Sequence, residues 1–231
     1  MTRPRALTSV QRRARAAVVA AVVRRIEQPI SASYGFERGT PVDRPYIEAH
    51  LAAHAADVAG RVLEVKDDEY ARRYGGTRVT HVDVVDVDAE NPRATIVADL
   101  DQPGVLAADS YDCIILTQVL EFLRPERALV ELYRALAPGG VLLITVPFLG
   151  RLETPEGDRW RPSPDGLRAV LAEVLPADAV TVVEGRGNLT GALAVLVGLA
   201  SEESGQPHAR ADDWRFPVVS LAHVRKPVPG A

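Results

Sequence analysis

Cysteine, lysine and aromatic residues are scarce in this chain of 231 residues. Its single cysteine, Cys113, excludes an internal disulfide and a cysteine-rich metal site, and it fits a reducing compartment. The only lysines are Lys66 and Lys226, so arginine carries nearly all the positive charge. A formal net charge of -4 provides no bulk attraction for nucleic acid or an anionic membrane. We therefore expect a cytoplasmic protein without a nucleic-acid partner.

Long apolar runs are also missing. The longest, Leu189–Ala200, is interrupted by two glycines and falls short of the roughly 20 residues that span a bilayer. This run therefore predicts a buried helix, and no membrane-spanning segment is expected. The hydrophobic content of 47% is enough for one substantial core.

The N-terminal segment has no acidic residue before Glu27 and is rich in arginine. The arginines are Arg3, Arg5, Arg12, Arg13, Arg15, Arg24 and Arg25. Val18, Val19 and Val22 lie at helical spacing, which predicts a surface helix packed on the domain or on a second subunit as a homodimer. A transit peptide, a membrane-surface helix and a basic arm are the alternatives. We divide the chain into an N-terminal helix and lid segment, 1–45, and a domain, 46–231.

Short apolar runs alternate with helical patterns over the rest of the chain. Strands are predicted at 61–65, 78–88, 94–100, 111–118, 141–147, 179–184 and 216–225. Helices are predicted at 46–59, from Asp67 or Asp68 to 74, at 125–140 with a closing Pro-Gly-Gly turn, at 167–175 and at 189–200. This alternation predicts an α/β fold with a Rossmann-like, seven-stranded, mostly parallel sheet, helices on both faces and extra N-terminal helices.

Acidic residues and a glycine turn follow the predicted strands in a fixed order. Glu64 ends the first strand, Asp83 lies near the end of the second and Asp99 ends the third. The fourth strand reads "YDCIILTQVLEFL", and "LAPGG" precedes the fifth. Over about residues 40 to 225 this order resembles class I S-adenosylmethionine-dependent methyltransferases of the type 11-like group. "GTPVDRPYIEAHL" (39–51), "KDDEY" (66–70) and "DRWRPSP" (158–164) are similar to a bacterial branch with glycan and secondary-metabolite substrates.

The resemblance implies S-adenosylmethionine as cofactor and a small-molecule substrate. The expected reaction is O-methylation of a sugar, glycan or secondary-metabolite hydroxyl. A methyltransferase-fold protein that serves as a binding partner or catalyses a non-methyl reaction is the alternative. A nicotinamide dehydrogenase is a third option, although its fingerprint also requires glycines in the first loop.

The first loop departs from the glycine-rich pattern of the family. Aligned on Glu64, a cofactor-binding position, the glycine positions hold Lys66, Asp68 and Tyr70. We expect Lys66 to neutralise the cofactor's carboxylate, and Asp67 or Asp68 to meet its ammonium group or cap the following helix. The alternative is that both aspartates are only caps and that the lysine is a solvated charge.

The resemblance places further cofactor contacts on the later strands. Asp83, with Val84 beside it, is the expected ribose ligand, and Asp86 and Asp88 are its rivals. Asp99 is expected at the adenine amino group, with Leu100 flanking the ring. His81 is a further candidate for contact with adenine. Thr117 and Gln118 are expected to line the reaction pocket, and Arg44 and Tyr46 to cover the cofactor. A salt bridge from Arg44 to Asp43 or Glu48 is the alternative.

The catalytic candidates are Gln118, Asp158, Trp160 and Arg161, the last three in the loop after the fifth strand. A tryptophan packed in the core is the competing interpretation. No general base is identified from the sequence. The five histidines show no metal-ligand spacing, and His50 and His54 are expected to share one helix face. No metal is therefore expected.

Overall fold

The computed structural model describes residues 8–230, which contain five α-helices and one seven-stranded sheet. Arg3 and Arg5 of the basic segment lie outside the described residues. The helices are α1 (Ser9–Val23), α2 (Arg44–Ala53), α3 (Pro125–Ala135), α4 (Pro164–Val174) and α5 (Leu189–Val197). The strands are β1 (Gly60–Val65), β2 (Val79–Asp86), β3 (Ile96–Val97), β4 (Tyr111–Thr117), β5 (Leu136–Pro147), β6 (Val180–Arg186) and β7 (Val219–Arg225).

The sheet has the order β3-β2-β1-β4-β5-β7-β6. The first five strands pair in parallel, and β7 runs antiparallel to both β5 and β6. This confirms the predicted seven-stranded, mostly parallel sheet. Chain order reverses between β1 and β4, and such a reversal opens a crevice at the carboxyl ends of the two strands.

Alternate residues of β4 face two different apolar layers. Ile114 and Leu116 pack in the main core with α3 and α4. Cys113 and Ile115 pack on the other side, with residues of α2 and the loop after β1. Because successive strand side chains point to opposite faces, helices cover both faces of the sheet, as predicted.

Several elements are shorter than the sequence predicted, among them α2, the helix after β1, and β3. Helix α2 ends at Ala53 rather than 59, and a short 3-10 turn, Ala55–Asp57, follows it. The helix predicted from Asp67 or Asp68 is reduced to a π-helical turn, Ala71–Gly75. Strand β3 keeps only two residues because the backbone turns at once, with Gln102 N donating to Asp99 O at 3.0 Å.

The "LAPGG" segment is extended rather than a closing turn. Helix α3 ends at Ala135, and Leu136 already pairs with Tyr111 at the start of β5. A Cβ atom on Gly140 would lie 2.8 Å from two carbonyl oxygens, those of Ala137 and Tyr111. Only glycine lets the two backbones approach this closely.

Helix α1 is capped but packs into no core. Thr8 and Gln11 form a reciprocal capping box at its N-terminus. No residue of α1 is buried, and Val18 and Val22 are 66% and 54% exposed. The prediction that this helix packs on its own domain is therefore wrong, and packing on a second subunit stays a prediction. No helix in the described part of the chain is long and apolar enough to cross a bilayer.

Candidate functional site

A cavity of about 380 Å3 opens where β1, β4 and β5 end. Its walls are the loop after β1, residues 117–122 after β4, and Pro147 with Leu149 after β5. Residues between Tyr34 and Arg44 line it from the N-terminal side. The cavity lies at the reversal of strand order, and its size is within the roughly 300–1,000 Å3 of small-molecule sites.

Lys66 takes the backbone conformation that glycine has elsewhere. Its φ angle is 77°, in the left-handed region, which costs a non-glycine residue about 1–2 kcal/mol. Hydrogen bonds on both sides hold it there, because its N–H donates to Val85 O at 3.0 Å and its carbonyl accepts from Asn91 Nδ2 at 2.7 Å. The loop thus follows a glycine-like path while presenting an ammonium group at the cavity.

The Glu64 side chain holds the backbone of the same loop in place. Its carboxylate is buried and accepts hydrogen bonds from the N–H groups of Tyr70 (3.1 Å) and Ala71 (2.7 Å). Burial raises the pKa of Glu64 to about 8 despite these two hydrogen bonds, which lower it. Glu64 lines the cavity, but both of its oxygens already serve the backbone.

The two aspartates of the loop differ in role. Asp67 lines the cavity, and its Oδ1 accepts from the N–H of Glu69 at 3.0 Å. Asp68 forms an ion pair with Arg72 and does not line the cavity. Asp67 therefore caps only the turn that directly follows it, and Asp68 belongs to an ion pair at the surface.

Gln118 is held in a left-handed conformation at the end of β4. Its φ angle is 53°, its N–H donates to Thr145 O at 2.8 Å, and its Nε2 donates to Thr145 Oγ1 at 3.1 Å. Thr117 lies beside it in the cavity wall. Lys66 and Gln118 thus store backbone strain on the two strands that flank the reversal, a common feature of binding sites.

Glu121 is the cavity residue that the sequence analysis missed. It is 3% exposed, it lines the cavity, and its Oε2 has no hydrogen-bond partner within residues 8–230. Burial raises the pKa of this carboxyl group to about 8. Its only signal in the sequence is an acid inside the apolar run "VLEFL". Asp43, also in the cavity wall, has its pKa raised by burial in the same way.

Arg44 reaches the cavity, whereas Tyr46 does not. The Arg44 guanidinium donates to Tyr70 Oη and lies 5.6 Å from the centroid of that ring. Glu48, one of the two alternative salt-bridge partners predicted for Arg44, pairs with Arg73 instead, with 2.8 Å between Oε1 and Nη1. Tyr46 is buried in a separate apolar cluster with Val42 and Val218, so its predicted contact with the cofactor is not supported.

The loop after β5 contributes Leu149, Glu153 and Arg161 to the cavity wall. Arg161 lines the wall, and its Nε donates to Asp158 Oδ1 at 2.9 Å. Asp158 also accepts from the N–H of Glu153 at 3.0 Å, so its buried carboxylate holds the loop together. Trp160 packs against the main core. Asp158 and Trp160 are therefore structural, contrary to their prediction as catalytic candidates.

Asp83 does not reach the cavity, because it lies inside β2 rather than at its end. Its carboxylate accepts from Arg61 Nη2 at 2.7 Å and from Tyr111 Oη at 3.1 Å, and His81 pairs with it. Neighbouring Val84 is buried. The ribose assignment of both residues, and the adenine contact of His81, are not supported.

Asp86 occupies the position expected for Asp83, at the carboxyl end of β2. It accepts from Asn91 Nδ2 at 2.7 Å, the same amide that binds Lys66 O. Asp99 is exposed after β3, and its Oδ1 accepts from the N–H of Asp101 at 2.9 Å. Leu100 is buried in the main core, so it cannot flank a ligand without moving.

Residues 50–144, from α2 into β5, match the family model described as "Methyltransferase domain". Over this part of the chain, the sequence match and the fold support a class I S-adenosylmethionine-dependent methyltransferase. S-adenosylmethionine is the cofactor of this family. A comparison with curated proteins finds no match.

Solved structures share the fold of the methyltransferase domain. The [4+2]-cyclase SpnF is 19% identical, with a TM-score of 0.53 and coverage of 96% of this chain and 98% of that one. An S-adenosylmethionine-dependent methyltransferase from Mesorhizobium loti is 16% identical, with a TM-score of 0.52 and coverage of 80% and 98%. A complex of the Haloferax volcanii Trm112 methyltransferase activator with a methyltransferase contains a chain that is 15% identical, with a TM-score of 0.55. The match covers 80% of this chain and 93% of that one.

The charges at the cavity fit the methionine part of the cofactor. That part carries a carboxylate, an ammonium group and the sulfonium. Lys66, Arg44 and Arg161 are the cationic residues in the wall, and Lys66 Nζ pairs with no carboxylate in the described part of the chain. Asp67, in the wall beside Lys66, supplies a carboxylate for positive charge. The residues present therefore suit the cofactor, although the glycines are missing.

Proposed function

We propose that the chain methylates a hydroxyl group of a small molecule, such as a sugar, glycan or secondary metabolite. The buried, unpartnered Oε2 of Glu121 in the cavity wall is the observation that carries this proposal. A hydroxyl acceptor must lose its proton as it is methylated, and Glu121 is a proton acceptor with no other partner. A pKa of about 8 is well matched to this role near neutral pH.

When bound, the cofactor would supply an electrophilic methyl group, whose carbon the acceptor oxygen would attack with the cofactor's sulfur as the leaving group. As the new C–O bond forms and the C–S bond breaks, Glu121 takes the hydroxyl proton. Gln118, fixed by Thr145, and Arg161, fixed by Asp158, orient the acceptor. Most of the rate enhancement then comes from proximity and orientation.

The cofactor is assigned to residues at the strand ends. Lys66 neutralises its carboxylate, and Asp67 accepts from its ammonium group. Asp86 accepts from the ribose hydroxyls in place of Asp83, and Asp99 from the adenine amino group. Thr117 completes the wall beside the reacting atoms. The positions of these residues after β1, β2, β3 and β4 support the assignment.

Substitution of Glu121 tests the reaction. Glu121→Gln keeps the volume but removes the proton acceptor, so S-adenosylhomocysteine formation with a panel of sugar, glycan and phenolic hydroxyl acceptors should fall about 10²–10⁴-fold. Affinity for S-adenosylmethionine, measured by calorimetric titration, should stay within about threefold. Exposed Glu173→Gln on α4 is the control. Unchanged turnover by the glutamine variant would disprove the role of Glu121.

A methyltransferase fold without methyl transfer is the second candidate. The observation that favours it is the lysine in the first loop, since a side chain there narrows the approach of a ligand to the backbone. SpnF, one of the solved structures with this fold, is described as a [4+2]-cyclase. Calorimetric titration of the folded chain with S-adenosylmethionine and S-adenosylhomocysteine separates the two. Absence of binding by both would exclude the first candidate.

The remaining proposals concern the setting of the protein. We place it in the cytoplasm, in agreement with its single, buried Cys113. We also propose a homodimer through α1, because a helix of this length with no buried residue is marginal in water. The exposed valines on its second half support self-association.

A further inference from the structure

Two histidines and an aspartate meet at the far end of α2 from the cavity. His54 caps the C-terminus of α2, Asp57 lies in the 3-10 turn that follows, and His223 is on β7. One ligand atom from each residue lies within 4.8 Å of the other two. His223 Nε2 is 3.0 Å, and His54 Nδ1 3.8 Å, from Asp57 Oδ2.

These distances are close to those within a metal's coordination sphere. Ligands about 2.0–2.1 Å from a tetrahedral zinc ion are about 3.3 Å from one another. The 3.0 Å separation is slightly shorter than this value and the 3.8 Å separation is slightly longer. Small side-chain rotations would therefore bring the three ligand atoms onto one ion. The side chains are 31%, 22% and 11% exposed for His54, Asp57 and His223, which leaves an open fourth position.

Asp57 is already oriented by a second residue. Arg225 Nη2 donates to Asp57 Oδ1, and Arg225 Nη1 donates to Gly139 O at 2.9 Å. Its guanidinium therefore holds one carboxylate oxygen and leaves Oδ2 facing the two imidazoles. Hydrogen-bonded carboxylate ligands of this kind are the usual outer support of metal sites. The positive charge of Arg225 lowers affinity for a cation, so we expect moderate binding.

Hydrogen bonds within residues 8–230 do not explain the position of the His54 ring, whereas His50 Nε2 lies 3.3 Å from Ala222 O. No hydrogen bond reaches either ring nitrogen of His54 within residues 8–230, and its ring lies 4.4 Å from that of His223. His50, 3% exposed, stacks edge-on against His54 at 4.9 Å, and its Nδ1 is a buried atom with no partner in the described residues. Two imidazoles beside one carboxylate favour a borderline transition metal over Mg2+ or Ca2+.

We propose that His54, Asp57 and His223 bind a divalent transition metal ion of the zinc class. The ion joins the C-terminal end of α2 to β7, and the other end of α2 carries Arg44 into the cavity. Its role is to fix this helix and so stabilise the fold. The site is separate from the cavity and does not depend on the proposed methyl transfer.

Titration of tag-free, metal-stripped full-length chain with Co2+ and Zn2+ tests the site. We expect one equivalent of Co2+ per chain with the visible absorption of tetrahedral cobalt, displacement by Zn2+, and a Zn2+-dependent increase in Tm. His54→Ala and Asp57→Asn should each weaken Co2+ binding at least ~10-fold. Asp57→Asn keeps the shape of the side chain, so it tests the site even if the first variant folds poorly.

His81→Ala is the matched control, because His81 also pairs with an aspartate, Asp83, but has no second imidazole in its cluster. It should bind Co2+ as the unchanged chain does. Wild-type affinity in both site variants, or an equal increase in Tm with Mg2+, would overturn the proposal. So would the absence of stoichiometric Co2+ binding by the unchanged chain.

Discussion

The Arg61 guanidinium holds the Asp83 carboxylate within the sheet, with 2.7 Å between Nη2 and Oδ2. Tyr111 Oη donates to the same oxygen at 3.1 Å, and the Tyr111 ring lies under the guanidinium at 5.3 Å. Asp83 therefore contributes to stability at the start of β1 and β4. We assign the ribose-ligand position at the end of β2 to Asp86.

Asp83→Ala should separate stability from cofactor binding. Loss of a mostly buried carboxylate that is hydrogen-bonded to Arg61, His81, Thr95 and Tyr111 should lower the free energy of unfolding by about 2–4 kcal/mol at pH 7, measured with urea. Affinity for S-adenosylmethionine should stay within twofold. Asp86→Ala should show the reverse pattern. Equal loss of affinity in the two variants would contradict our placement of the ribose ligand.

The contribution of Asp83 should depend on pH. Burial alone raises the pKa of Asp83, but hydrogen bonds from Arg61, His81 and Tyr111 lower it below the usual 3.8. The stabilisation is therefore present above pH 3.8 and is lost as pH falls through the lowered folded-state pKa. The difference in unfolding free energy between the unchanged chain and Asp83→Asn should shrink in acid. A difference that is constant from pH 7 to pH 3 would be inconsistent with this ion pair.

Lys66→Gly should have opposite effects on folding and binding. Glycine relieves the left-handed strain at φ 77°, so the free energy of unfolding should rise by about 1 kcal/mol. Affinity for S-adenosylmethionine should fall about 5–20-fold, since a charge-assisted hydrogen bond contributes about 1.5–3 kcal/mol when well formed. Lys66→Arg, which keeps the charge, is the control for binding. Equal or tighter binding by the glycine variant would show that Lys66 is only a solvated charge.

Glu121→Gln should stabilise the fold at alkaline pH. The pKa of Glu121 is about 8 in the folded chain and near 4.5 when exposed, so the folded state holds the proton more tightly. Its presence therefore costs stability progressively as pH rises from 4.5 to 8, and no further above that. We expect the variant to gain about 1–3 kcal/mol over the unchanged chain at pH 9 but not at pH 4.

Thermal unfolding at both pH values measures this difference, with Glu173→Gln as the exposed control. A gain that is the same at pH 4 and pH 9 would mean that Glu121 is hydrogen-bonded or solvated.

Charge on α1 should dissociate the proposed dimer. Val18→Asp with Val22→Asp places two carboxylates on an exposed apolar stripe without touching the core. Light scattering should show a dimer for the unchanged chain and a monomer for the variant, with equal affinity for S-adenosylmethionine. Arg12→Gln with Arg15→Gln, at the other end of the helix, is the control. A monomeric unchanged chain would disprove the dimer.

Sequence patterns predicted the fold well because burial on two faces leaves a strong signal. The "YDCIILT" and "VLLITVP" runs could only belong to interior strands, and both do. Local requirements on the backbone conformation were harder to predict. The glycines of "LAPGG" serve a close approach to Tyr111, which lies 29 residues before Gly140, and not a helix stop.

Site residues could be predicted where their position along the chain determines where they lie. They could not be predicted where a partner that is distant in sequence determines it. Lys66, Thr117 and Gln118 line the cavity because they lie at or just after strand ends, and their roles toward the cofactor stay predictions. Asp83 was misplaced because its partners, Arg61 and Tyr111, come from other strands. The same reason hid the cluster of Asp57 and His223, which are 166 residues apart in sequence. Single-sequence reasoning has no access to such pairs.

The antiparallel strand β7 is the last strand along the chain, yet it lies between β5 and β6. During synthesis on the ribosome, the second edge of β5 stays uncovered until residues 219–225 have been made. That edge stays open while residues 148–218 are synthesised, which invites association with chaperones or other chains. Substitutions that weaken β7 should therefore reduce soluble yield in cells more than they lower the stability of protein already folded.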